Sequence, residues 1–96
     1  MNKEKIEQEF DDSETYSLRT TIAKFIAPRL KRYQELANKK LNRDVELVNK
    51  IDDFIHAMEL VANEDENDCF WDEKLHKEVM KGLKAFPEIF GSLWWF

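Results

Sequence analysis

Arg29 is the residue of this 96-residue chain whose type and position most demand a chemical partner. If the stretch around it is helical, stepping 100° per residue gathers Leu18, Ile22, Phe25, Ile26, Tyr33 and Leu36 onto one stripe, with Arg29 in its middle. A guanidinium in such a core needs an anion. Either a carboxylate from Asp11, Asp12, Glu14, Asp52 or Asp53 meets it as a fork, or a ligand group such as a phosphate does. Another side of the same helix carries Ser17, Thr20, Thr21, Lys24 and Lys31, with Arg32 at its edge. Hydroxyls and cations in such a row suit phosphates, and an ordinary solvated helix face has the same composition. Tyr16 just upstream, with Tyr33 or the C-terminal Trp94 and Trp95, offers flat surface on which a nucleobase stacks. Aromatic residues of this kind equally serve a core or a subunit interface.

Other constellations are thinner. Cys69, Asp72 and His76 fall on one side of a later helix by spacing, three corners of a zinc tetrahedron with no fourth ligand and no HxxxH or CxxC pair beside them. Nucleophile-elbow and glycine-rich phosphate-loop motifs are absent. The neighbouring acids Asp11 with Asp12 and Asp52 with Asp53 diverge by 100° on a helix, which makes metal-assisted phosphodiester cleavage the weaker reading. The expectation is a non-enzymatic protein with no cofactor and no metal.

Twenty acidic residues against 15 basic ones give a net charge of −5, which argues against duplex nucleic acid or an anionic membrane as the partner of the whole surface. A single cysteine allows no internal disulfide, and MNKEKIEQEF has no apolar signal core, so a cytosolic, unprocessed protein is expected. No apolar run approaches the length needed to cross a bilayer. Two glycines and two prolines leave little turn chemistry for hairpins. A chain this small buries a modest fraction of its surface, so self-association to a homodimer or homotetramer is expected.

The elements that must position these residues follow from period and punctuation. The spacing predicts an all-α, compact three-helix domain over 1–96, with a polar lead-in over 1–12 and an aromatic C-terminal segment over 89–96. Helix one runs from Leu18 to about Ala37 after the hydroxyls of Ser13, Thr15 and Ser17, and is kinked or broken near Pro28. A proline there leaves a backbone carbonyl free for another donor. A loop spans Asn38 to Arg43, with Asn42 or Asp44 capping helix two, whose Val45, Val48, Ile51, Phe54, Ile55, Met58, Val61 and Ala62 recur at three and four residues. The acidic tract Asn63–Asp68 forms a turn ahead of helix three, which turns Phe70, Leu75, Val79, Leu83 and Phe86 to one face, with Gly82 permitting close packing. Pro87 bends that helix or opens a new turn.

DDSETYSL, followed by TIAKF and PRLKR, resembles the signature of a group of small helical bacteriophage proteins that read DDxxTWSL, TxAKF and PRLKRF at this spacing. The likeness extends more loosely to Asp44–Val61, KGLKAFPEIF and SLWW, about half of the chain. The motif also resembles the phage anti-CBASS sponges, which assemble into oligomers and sequester cyclic dinucleotide alarm signals without cleaving them. That resemblance implies action in the cytoplasm of the infected bacterial host on a cyclic dinucleotide such as 3',3'-cGAMP. It implies Tyr16, Thr20, Lys24, Arg29, Lys31, Arg32, Trp94 and Trp95 as ligand-binding residues. The chain departs from the signature at Tyr16, where the group has Trp, and at Arg19, where it tends to have Asp. The alternative is a phage interaction module or inhibitor that grips a host protein through its aromatic C-terminus.

Overall fold

Hydrophobic period and caps explain most of the architecture. The computed structural model describes residues 9–40 and 44–93, so Asn42, Trp94 and Trp95 lie outside the described residues. Within them the chain forms four α-helices and no strand: α1 Leu18–Lys40, α2 Val45–Ala62, the single-turn α3 Glu64–Asn67 and α4 Glu73–Ile89. Short 3-10 turns, Asp12–Thr15 and Phe90–Leu93, stand before α1 and after α4. The body is compact and all-helical, and three of its helices are long.

Each start has a local cause. Ser17 precedes α1 with φ 52°, left-handed rather than the extended backbone of an ordinary N-cap, and its carbonyl accepts from the N–H groups of Thr20 and Thr21. The Asp44 carboxylate accepts from the Glu46 N–H at 3.3 Å to open α2. Asp72 does the same for α4, accepting from the Leu75 N–H at 2.9 Å. Asp68 ends α3 at φ 55°, a conformation that aspartate tolerates better than most residues. Pro28 lies inside α1 and Pro87 inside α4, and both helices continue past them, so neither proline breaks the chain's helical course. The loop expected from Asn38 does not begin there, because α1 extends to Lys40.

The core is built on α2, which packs against α1 and, more extensively, against α4. It buries Ile51, Phe54, Ile55, Met58 and Val61, as its spacing predicts, and Ala57 besides, whereas Val45 at its start is exposed. Against it α4 turns Val79, Gly82, Ala85 and Ile89. Gly82 marks the closest approach: a Cβ built there stands 2.5 Å from the Asp53 carbonyl oxygen and closer still to the Ala57 Cβ.

The expected core stripe of α1 is corrected. Buried residues are Ala23, Ala27, Leu30, Gln34 and Ala37, a stripe displaced by about 100° from the one centred on Arg29. Leu18, Ile22 and Phe25 stay more than half exposed, and Arg29 is exposed with them. Small residues let α1 sit close on α2, while the bulkier apolar ridge is left at the margin. Similarly, Leu83 of α4 remains 38% exposed where the sequence places it in the core.

Candidate functional site

Arg29, stripped of its core position, meets no carboxylate among the described residues. Its Nη1 donates to the Phe25 carbonyl at 2.9 Å, and its guanidinium lies 3.9 Å from the Phe25 ring centre. Pro28 has no N–H to give the Lys24 carbonyl; the carbonyl that the guanidinium takes is the next one along, that of Phe25. A cation over an aromatic face at the surface satisfies the charge without an anionic partner.

The fork expected of Arg29 is made instead by Arg19. Its Nε donates to both Glu64 carboxylate oxygens at 3.1 Å, and its Nη2 donates to Oε1 at 2.6 Å. The guanidinium also stacks 3.8 Å from the Phe70 ring centre. Thr20 Oγ1 donates to the other carboxylate oxygen, so Glu64 is gripped from two successive residues of α1. Hydrogen bonds from Arg19 hold the Glu64 carboxyl below its ordinary pKa, with partial burial opposing the shift and Thr20 adding to it. The Arg19 guanidinium is pushed further above its ordinary value by the same pair.

This clasp ties the start of α1 to α3, and beside it opens a cleft of about 410 Å³. Ser17, Thr20 and Lys24 form its α1 wall; Glu64, Asp65, Asp68, Phe70 and Trp71 form the other. Trp71 is 86% exposed, an unusual position for the largest aromatic side chain. Lys24 has no ion-pair partner among the described residues. The cleft thus combines one cation, two hydroxyls, an open indole face and the carboxylates of Asp65 and Asp68.

Of the residues singled out from the sequence, Thr20 and Lys24 are brought together here. Lys31, two turns beyond Lys24, pairs with Glu59 of α2 at 3.0 Å, and Arg32 pairs with Glu35 at 2.9 Å. Arg29 points away on the apolar margin. Tyr16 is 70% exposed just ahead of Ser17 and does not line the cleft. The DDSET stretch closes on itself: the Glu14 N–H donates to the Asp11 carbonyl, the Asp11 N–H to Glu14 Oε2, and Thr15 Oγ1 to the Asp12 carbonyl. Arg19, Glu64, Asp65, Asp68, Phe70 and Trp71 escaped the sequence argument. The available signal was Arg19 itself, one of two departures from the signature that the sequence resembles.

The zinc geometry is not assembled. Cys69 is fully buried, its thiol donating to the Leu60 carbonyl at 3.6 Å, whereas His76 Nδ1 lies 3.5 Å from the Phe70 carbonyl and Asp72 is committed to capping α4. Burial pushes the Cys69 thiol above its ordinary pKa. No cluster of three or more histidine, cysteine or acidic groups suited to a metal occurs among the described residues.

A second depression of about 370 Å³ runs between α1 and the end of α4, walled by Ile22 and Phe25 on one side and Phe90 and Leu93 on the other. Phe54 and Phe86, stacked at 4.7 Å, form its floor, and Phe90 leans on Phe86 at 5.1 Å. No charged side chain lines it. No helix among the described residues is long and apolar enough to cross a membrane. Compared with known proteins, the chain matches no protein family, no curated protein and no solved structure.

Proposed function

We infer that this chain is a phage immune-evasion protein that captures a cyclic dinucleotide, such as 3',3'-cGAMP, in the cleft at the start of α1 and holds it without cleaving it. The observation that carries this reading is the cleft's pairing of Lys24 and the Ser17 and Thr20 hydroxyls with the open face of Trp71. A base stacks on the indole, a contribution of about 1–3 kcal/mol per base. Lys24 neutralises one phosphodiester, and the Ser17 hydroxyl donates to its oxygens, the Thr20 hydrogen being already given to Glu64. Asp65 and Asp68 serve the base rather than the phosphate: their oxygens accept from amino and imino N–H groups, the chemistry by which carboxylates read the donor edge of a purine or pyrimidine. That assignment accommodates acids in a site for an anion, and it favours bases that present two adjacent donors, as guanine does.

One such cleft answers one base and one phosphate. A ligand with two of each suits two copies, so the protein acts as a homodimer or homotetramer in the host cytoplasm. Self-association is supported by the exposed ridge of Leu18 and Ile22 on α1 and by Met80 and Leu83 on α4. In this reading Trp71 is the stacking ring, Arg29, Lys31, Arg32 and Tyr16 do not line the cleft, and Trp94 and Trp95 lie outside the described residues.

Thermal melting against a panel of cyclic di- and trinucleotides tests the reading. A guanine-containing cyclic dinucleotide raises the melting temperature and is recovered intact after heat denaturation. Lys24→Ala weakens capture roughly tenfold or more, and Trp71→Ala does likewise, with the unliganded melting temperature little changed because both side chains are exposed. A panel without any shift overturns it; a cleaved ligand overturns the non-enzymatic part.

A further inference from the structure

Two arginines of α1 lie against phenyl rings, and only one of them has an acid. Arg19 stacks 3.8 Å from the Phe70 ring centre and forks the Glu64 carboxylate at the same time, because a guanidinium on an aromatic face keeps its N–H edges free. Arg29 repeats the stack, 3.9 Å from the Phe25 ring centre, but its edges give one bond to the Phe25 carbonyl and meet no carboxylate among the described residues. We propose that the acid answering Arg29 is Glu14 of a second copy, in a two-fold symmetric dimer whose α1 helices cross antiparallel at Ile22.

One edge of the molecule carries acids, an apolar ridge and a cation in that order. Asp11, Asp12 and Glu14 stand in the turn just ahead of α1; Leu18, Ile22 and Phe25 follow at positions i, i+4 and i+7, along one side of the helix; Arg29 comes one turn later. Turned end over end, such an edge meets its own complement, acids against the cation and ridge against ridge. Ile22 sets the register. It lies eight residues after Glu14 and seven before Arg29, so an axis through the middle of the ridge brings Glu14 of one copy beside Arg29 of the other at both ends. The surface for it is there: residues 9–19 are all exposed, and the 3-10 turn, closed by its own bonds, buries none of its residues. Phe10, Tyr16, Leu18, Ile22 and Phe25 are each more than half exposed and together present roughly 600 Å², most of the about 800 Å² that one partner of a standard interface buries. Leu18, Ile22 and Phe25 do not line the ligand cleft, so both clefts stay open in the dimer. The proposal gives the self-association of the proposed function a register; it rests on that reading for the expectation that copies associate, and it needs no nucleotide.

Sedimentation of the full chain without ligand tests the pairing, so that its failure leaves the cleft reading standing and the absence of a nucleotide-induced thermal shift leaves the dimer standing. The parent sediments at a multiple of the single-chain mass. Arg29→Glu and Glu14→Arg each set like charges opposite one another at both ends of the dimer, and each should halve the sedimenting mass. An equimolar mixture of the two variants should restore it, because every contact in the mixed dimer is again arginine against glutamate. Both side chains start exposed, so thermal melts of the variants stay within a few degrees of the single-chain value. Arg29→Gln and Glu14→Gln, which remove charge without reversing it, should weaken association several-fold. A parent that stays a single chain at high concentration overturns the proposal. So do single reversals that leave the mass unchanged, and folded reversals that dissociate but are not rescued by mixing. Should a reversal unfold the chain, the two glutamine variants decide, and association unchanged in both overturns the pairing.

Discussion

At the scale of single residues, charge pairing separates Arg19 from Arg29. Both were within reach of an apolar helix, but only Arg19 faces a carboxylate with room for a fork, and Glu64 answers it from α3. Because the folded state holds the Glu64 proton less tightly than the unfolded chain does, the pair's contribution is fully present above the ordinary carboxylate range. It is lost as pH falls through the lowered pKa. Glu64→Gln should therefore melt below the wild type at neutral pH, with the two converging as the solution is acidified; thermal melts across that range check this. Gln34 offers a contrasting case. It is buried, its Nε2 donates to Asp52 at 3.1 Å, and its Oε1 has no partner among the described residues. A buried acceptor left unpaired costs about 1–3 kcal/mol, and Asp52 is exposed enough to turn to water, so Gln34→Leu should raise stability by about 1 kcal/mol in urea denaturation. The arginine fork was visible in the sequence as a need but assigned to the wrong arginine. Its partner lies 45 residues away, and no local spacing rule reaches that far.

At the scale of elements, α2 was the most legible. Its apolar residues recur at helical spacing and five of its six buried positions fall on them, Ala57 being the exception, because α2 is packed from two sides and its period has to be strict. The terminal caps Asp44 and Asp72 act through their own carboxylates. On α1 the same reasoning found the helix and mistook its inner face. Alanines carry a weak hydrophobic signal, so the stripe of larger residues dominated the pattern, although close approach to α2 favours the small ones. Pro28 was expected to kink or break α1, and the helix runs on past it unbroken. The missing hydrogen bond still weakens the helix, and Pro28→Ala at this exposed position should stabilise the protein by about 1–3 kcal/mol, measured by chemical denaturation. Gly82→Ala should do the reverse. The added methyl meets the Asp53 backbone and the Ala57 side chain together, α2 and α4 must separate, and a loss of at least about 2 kcal/mol is expected.

At the scale of the whole molecule, three helices arranged around α2 leave an apolar margin between α1 and α4 that composition hinted at without locating. The greasy end of the sequence announced surplus hydrophobic surface; which helix faces lacked cover depended on the rotation of α1, and rotation is a tertiary property. The proposed self-association through that margin has a simple check: Ile22→Lys should reduce the sedimenting mass to that of the single chain while leaving the melting temperature within a few degrees, since Ile22 is exposed. The candidate cleft was half legible, through Thr20 and Lys24, because its other wall comes from the α3 region, which has no periodic signal to place it. That region also carries the chain's one thiol, sealed under Leu60 with its ionisation suppressed by burial. An alkylating dye must wait for the segment to open before it reacts, so the labelling half-life of Cys69 becomes a clock for local breathing, and any small molecule that fastens the neighbouring wall will slow it.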